Sequence, residues 1–172
     1  MNLFPDNKPL QTKLEIRAIH DTDPPWIHQM AFDHWGSNQV ITRGKMLDIT
    51  LLPGFIAVYG EKKSGFIIFH IQNSECEIVA LISFFHGIGI GTHLIEAIRC
   101  SPKVSNCSRF WVITTNDNTH ALRFYQKRGF SIKSIYPNSI LESRKLKPEI
   151  PLFGNDGIPI KDEIELEFIL SN

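Results

Sequence analysis

CEIVALISFFHGIGIGTHLIEAI, residues 76–98, changes its period half-way along. The run 76–82 is apolar enough for a strand and carries one carboxylate, Glu77, inside it. After HGIGIG the apolar positions Leu94, Ile95 and Ile98 fall three and four apart, the spacing of a helix that begins at the glycines. Gly87, Gly89 and Gly91 have no Cβ, so the chain can turn tightly there and let a ligand approach the main chain. The N–H groups of the helix's first turn then converge on one small volume, and a pyrophosphate suits it. Thr92 can add a hydroxyl donor. A P-loop is excluded, because no Gly-Lys-Ser/Thr follows. A dinucleotide fold would put this motif after the first strand and an acidic residue about 20 residues on, where this chain has Arg109, Phe110, Trp111, Val112 and Ile113. Glycines that serve only close helix–sheet packing are the plain alternative.

Working upstream, 55–59, 65–71 and 76–82 read as strands separated by Lys62-Lys63 with Gly65 and by Asn73-Ser74. Connections this short join antiparallel neighbours. Farther out, 14–19 alternates as a strand. Asp21 to Asp23, then Pro24 and Pro25, start a helix that carries Trp26, Ile27, Met30, Ala31 and Trp35 and ends at Gly36. Residues 37–53 read as one short helix or a long loop. Downstream, 110–113 is a strand, and Asn116, Asp117 or Asn118 caps a helix that Gly129 stops. Another strand covers 130–136, and 144–163 reads as a polar loop. Ile164, Leu166, Phe168 and Leu170 then alternate with Glu163, Glu165 and Glu167, a half-buried last strand with an acidic outer face. The whole is α+β: one domain over 1–172, a central sheet with helices on both sides, behind a loose leader at 1–13.

Lys plus Arg equals Asp plus Glu at 18 each, so charge gives no reason to expect nucleic acid or an anionic membrane surface as partner. The short basic stretch Arg144, Lys145 and Lys147 reads as a solvated connector. Cys76, Cys100 and Cys107 are odd in number and form no C-x-x-C pair, which argues against disulfides and against a metal site. With no signal-peptide core and no run of about 18 apolar residues, the expected location is the cytoplasm.

The Gly-rich segment resembles the acetyl-CoA-binding motif of the GNAT superfamily of N-acetyltransferases, with the look of a small bacterial-type member. That motif has Arg or Gln, two residues, Gly, one residue, then Gly or Ala; it falls here on His86, Gly89 and Gly91, with Gly87 in its usual place. His86 departs from the Arg or Gln of the family. The later motif of the family lies on Asn118, Ala121, Phe124, Tyr125, Gly129 and Phe130. The resemblance implies the acyl-CoA N-acyltransferase fold, a mixed sheet of about seven strands, and transfer of an acetyl group from acetyl-CoA to a primary amine within a ternary complex. It implies a cofactor site on His86, Gly87, Ile88, Gly89, Ile90, Gly91, Thr92 and Asn118, with main-chain donors near Leu81 and Ile82 for the acetyl carbonyl. It implies Tyr125 as donor to the departing thiolate of coenzyme A.

Asn118, Leu122 and Tyr125 share one helix face, so Asn118 and Tyr125 can look into one cleft; His120, Arg123 and Lys127 occupy another, wetter face. Amine attack on a thioester needs a neutral amine, hence a proton acceptor. Some family members use a Glu where this chain has Ser83, which cannot serve. Glu77 is the leading substitute, because a carboxylate inside an apolar strand needs a reason; Glu75 lies on the same face, nearer the turn. Trp35 and Arg43 are candidates for the acceptor wall, and 144–163 for a cover over it. The acceptor is expected to be a small-molecule amine, a peptide or a protein amine; a homodimer is compatible with all of this. The competing reading is a module of the same fold that binds or senses acetyl-CoA without turnover.

Overall fold

Phe66-Ile67-Ile68-Phe69 is apolar without a break because both faces of its strand are covered. In the computed structural model, which describes residues 13–170, Ile67 and Phe69 pack in one core with Leu94, Ile95 and Ile98, whereas Phe66 and Ile68 pack in a second with Ile27 and Ala31. Full burial of each of these large side chains is worth about 1.5–3 kcal/mol.

The elements in order are β1 (Leu14–Ala18), α1 (Pro24–Trp35), β2 (Gln39–Thr42), β3 (Lys45–Asp48), β4 (Gly54–Tyr59), β5 (Lys62–Gln72), β6 (Glu75–Ser83), α2 (Ile90–Arg99), β7 (Arg109–Thr115), α3 (Thr119–Gln126), β8 (Ser131–Tyr136), α4 (Ser139–Leu146) and β9 (Glu163–Ile169). Seven strands form one sheet in the order β1-β4-β5-β6-β7-β9-β8. Its pairs are antiparallel except β6 with β7, so the sheet is mixed and the fold α+β as expected. Asp23 begins α1: it takes two hydrogen bonds from Arg17, at 2.7 and 3.0 Å, and one from Lys63 at 2.6 Å, tying α1 to β1 and β5.

The parallel pair is short. β6 and β7 meet only at Glu75↔Arg109, Cys76↔Phe110 and Glu77↔Trp111. Just beyond, β6 bulges against β5: Phe69 pairs with Ile78 and Ile68 with Ala80, leaving Val79 unpaired. A bulge bends and twists its strand, and here it turns β6 away from β7.

Four expectations need correction. Residues 37–53 hold neither a long loop nor an α-helix; they form the β2–β3 hairpin, a sheet of its own, followed by a 3-10 turn at Ile49–Leu51. Its two-residue turn is Arg43-Gly44, with φ of 46° and 72°, the left-handed geometry of tight hairpins. Within 144–163, α4 runs on to Leu146 and an isolated bridge joins Phe153 to Pro159. Arg144 is no solvated connector there, since its guanidinium donates to the carbonyls of Ile150, Pro151 and Ile160 and holds the loop closed. The acidic face of β9 is not an outer one: Glu163 and Glu165 are buried. Of the proposed leader, 1–12 lie outside the described residues.

Candidate active site

Where β6 leaves β7, a main-chain edge opens. The N–H of Phe84 donates to Ser64 of the β5 side at 3.0 Å. Main-chain groups alternate along a strand. Ile82 and Ala80 therefore also face β5, while Leu81 and Ser83 present theirs to the gap. Of the two carbonyl-oxygen donors expected near here, Leu81 faces the gap and Ile82 is turned to β5.

At the far end of β6 the glycines divide their work. Gly87 and Gly89 have φ of 84° and 77°, a region that side chains with a Cβ rarely adopt, and Gly89 caps α2 in that conformation. His93 N–H closes the first turn onto Gly89 O at 3.1 Å. The N–H groups of Ile90, Gly91 and Thr92 precede any intrahelical partner and remain for a ligand. Gly91 answers to packing, because a Cβ there would lie 2.8 Å from Phe124 Cζ. Ile88 and Ile90 turn their side chains into or onto the core, so only their main chain is open to a ligand. His86 is exposed, its ring 6.3 Å from that of His120. An open strand edge leading to a helix start fits a thioester arm followed by a pyrophosphate.

Asn118 caps α3, its side-chain oxygen accepting from the N–H of Ala121 at 3.1 Å. Tyr125 is 5% exposed and held edge-on between Phe124 and Phe130, at 5.2 and 5.3 Å. Its hydroxyl has no hydrogen-bond partner among the described residues. Burial pushes the phenol up, so it stays a neutral donor.

Glu77 sits at the apex of the gap, 5% exposed. Burial pushes its carboxyl up; a hydrogen bond from Thr42 Oγ1, at 2.5 Å, and the charge of Arg43 oppose that. Thr42 ends β2, so the hairpin is pinned over β6. Arg43 at the hairpin tip gives two hydrogen bonds of 2.8 Å to Glu165 and stacks 3.9 Å above Trp111. Burial raises the Glu165 carboxyl, but Arg43 and Tyr136 (its hydroxyl at 2.6 Å), together with Arg109, hold it below the ordinary range. Arg109 also reaches Glu75 at 2.9 Å and Glu167 at 2.6 Å. Glu75, Glu77, Arg43 and Trp111 thus line one small polar pocket with His70, Gln72 and Asn73. Of the proposed acceptor-wall pair, Arg43 is in this cluster and Trp35 is apart from it, 40% exposed beside His34.

Sequence reasoning missed Thr42, Trp111, Glu165 and Arg128. The last donates to Thr92 Oγ1 at 3.0 and 2.5 Å and to Phe124 O at 2.7 Å. The Arg43-Gly44 turn is not one of the residue pairs that mark a hairpin, so no local signal pointed to Thr42. No spacing rule links the others to the site. Among the described residues no cluster of His, Cys, Asp or Glu is arranged to hold a metal, and no helix is long and apolar enough to cross a membrane.

Residues 15–130 match the acetyltransferase (GNAT) family. The chain is 39% identical over 132 residues to "Uncharacterized protein YdhI" of Bacillus subtilis (strain 168), covering 76% of this chain and 82% of that one. In fold it is similar to a Bacillus subtilis acetyltransferase in complex with CoA, with TM-score 0.66 and 19% identity over 92% of this chain and 100% of that one. It is likewise similar to a GNAT family acetyltransferase from Elizabethkingia anophelis with acetyl-CoA bound, with TM-score 0.64 and 22% identity over 91% and 98% of the two chains. Motif, sheet topology and relatives agree: this chain belongs to the GNAT family of acetyltransferases.

Proposed function

We propose that the chain is an N-acetyltransferase that moves an acetyl group from acetyl-CoA to a primary amine by direct attack on the thioester. The observation that carries this reading is the parting of β6 from β7 immediately past Glu77↔Trp111, with a Gly-rich helix start at the other end of the same strand. Acetyl-CoA supplies the activated acyl group. The chain's residues do the rest. The first N–H groups of α2 hold the pyrophosphate. The Leu81 N–H points to where negative charge develops on the carbonyl oxygen. Glu77 takes the proton of the incoming amine, directly or through water, and its raised affinity for protons makes it a better base near neutrality than an ordinary carboxylate. Tyr125 offers a neutral O–H to the leaving thiolate. The acceptor enters on the hairpin side, through the polar pocket that Glu75, Glu77 and Arg43 line. A panel of amines incubated with acetyl-CoA and scored by release of free thiol tests this. Release with at least one primary amine, absent without amine, is expected. Binding of acetyl-CoA with no release for any amine would overturn transfer and leave a binding module.

A further inference from the structure

The polar pocket at Glu77 is small, about 50 Å³. That is well below the roughly 300–1,000 Å³ of a site that encloses a whole ligand, so the pocket takes a head group only. We propose that this head group is the ammonium and carboxylate of a free α-amino acid, with Arg43 reading the carboxylate while Glu77 receives the amine. The inference rests on the reading above that the acceptor amine reacts beside Glu77.

Most of the charge around the pocket is already spent. Arg109 is bonded to Glu75 at 2.9 Å, to Glu165 at 3.0 Å and to Glu167 at 2.6 Å. Lys133 also pairs with Glu167, at 3.1 Å. Two groups keep capacity. Glu77 makes no ion pair among the described residues, and its partner is the hydroxyl of Thr42. Arg43 spends only Nη2, on both oxygens of Glu165. Its Nε and Nη1 donate to nothing among the described residues, and its side chain is 42% exposed.

The open guanidinium is held in place before any ligand arrives. Its carbon lies 3.9 Å above the Trp111 ring. Its anchor is fixed as well, since Glu165 is buried and also accepts from the Tyr136 hydroxyl at 2.6 Å. A planar set of donors oriented in this way matches a carboxylate and loses little freedom on binding one.

Spacing agrees. Thr42, which bonds Glu77, and Arg43 are consecutive residues at the hairpin tip, with Cα atoms about 3.8 Å apart. In an α-amino acid a single carbon separates the ammonium from the carboxylate, so one small pocket can meet both ends. Other head groups fit less well. A simple amine would set its cation beside the open guanidinium with nothing to offset the repulsion, and a carboxylate alone would face Glu75 and Glu77. A zwitterion adds no net charge and answers both. A peptide amino terminus has an amide where the free amino acid has its carboxylate, and leaves the charge of Arg43 unused. During transfer the ammonium gives one proton to Glu77, and its nitrogen bonds the acetyl carbon as the carbon–sulfur bond breaks. The second proton leaves with the thiol, and the carboxylate stays on Arg43.

The test is thiol release from acetyl-CoA with the common α-amino acids, their carboxamides and the corresponding amines that lack the carboxyl group, compared at equal concentrations of neutral amine. For at least one amino acid, kcat/KM should exceed that of its carboxamide and its amine by about tenfold or more, the scale of a charge-assisted hydrogen-bonded pair. Arg43→Gln should bring that ratio to about one, chiefly by raising KM for the amino acid. The ratio is taken within one protein, so general damage to the hairpin lowers all acceptors and cancels. A wild type that acetylates amines without favouring the carboxylate overturns the inference and leaves acetyl transfer standing. A ratio unchanged in Arg43→Gln also overturns it, because the carboxylate is then read elsewhere. No thiol release with any acceptor overturns acetyl transfer and this inference together.

Discussion

Thr42 and Glu77, 35 residues apart in sequence, share a buried hydrogen bond of 2.5 Å that pins the tip of one hairpin to the point where the sheet opens. Burial works against the charge on Glu77 and the threonine hydroxyl works for it. Thr42→Val keeps the shape and removes the donor. Glu77 should then hold its proton to higher pH, and the acid limb of kcat/KM against pH should move upward, with activity recovered above it. An equal loss at every pH would assign Thr42 to packing alone.

Glu77→Gln should separate stability from activity. Folding raises this carboxyl above its ordinary value, so the folded chain binds protons there more tightly than the unfolded one. Its contribution is thus unfavourable above the ordinary carboxylate range, and stability falls as pH rises from that range through the raised value. The amide removes this cost. Tm at neutral pH should rise by about 2–4 °C per kcal/mol recovered, while turnover falls by roughly 10²–10⁴. A lower Tm with turnover intact would make Glu77 structural.

Tyr125→Phe deletes a hydroxyl without hydrogen-bond partners among the described residues and keeps a ring wedged between Phe124 and Phe130. The fold and the affinity for acetyl-CoA should survive. The single-turnover rate should drop by roughly 10²–10⁴, since steady state can hide the effect behind product release. An unchanged single-turnover rate would leave Tyr125 as a packing residue.

Gly89→Val places a branched side chain at φ 77°, at a strain of about 1–2 kcal/mol, where the first N–H groups of α2 face the ligand. Thermal unfolding should remain cooperative and coenzyme A should bind at least about tenfold more weakly, a difference of 1.4 kcal/mol. A folded variant with wild-type affinity would remove the pyrophosphate from this turn.

Asp23 is 1% exposed and bonded to Arg17 and Lys63, which hold its carboxyl far below the ordinary value. That stabilisation is complete above a carboxylate's ordinary pKa of about 3.9 and is lost as pH falls below it. Asp23→Asn should cost about 2–3 kcal/mol at neutral pH by chemical denaturation, the scale of a lost charged hydrogen bond. The gap to wild type should narrow in acid. A constant gap across pH would mean that Asp23 acts only through its position at the helix start.

The amino-acid sequence by itself determined the parts that local period reports. The strand–glycine–helix passage at 76–98, a helix cap among Asn116, Asp117 and Asn118, and the α+β class follow from spacings within one or two turns of chain, and so does the need for glycine at the tight turn before α2. Tertiary structure alone decided which of these faces are covered. Glu165 alternates on β9 as an outward residue would, yet it lies 122 positions from Arg43 and is buried beneath it. The Arg43-Gly44 turn lacks the Asn-Gly or Asp-Gly pair that marks hairpins, so β2–β3, and with it Thr42, stayed hidden. The Thr92–Arg128 bond ties α2 to the end of α3. Periodicity tells the two sides of an element apart, but only the packing of distant segments fixes which side meets water, and charge and proton affinity follow from that.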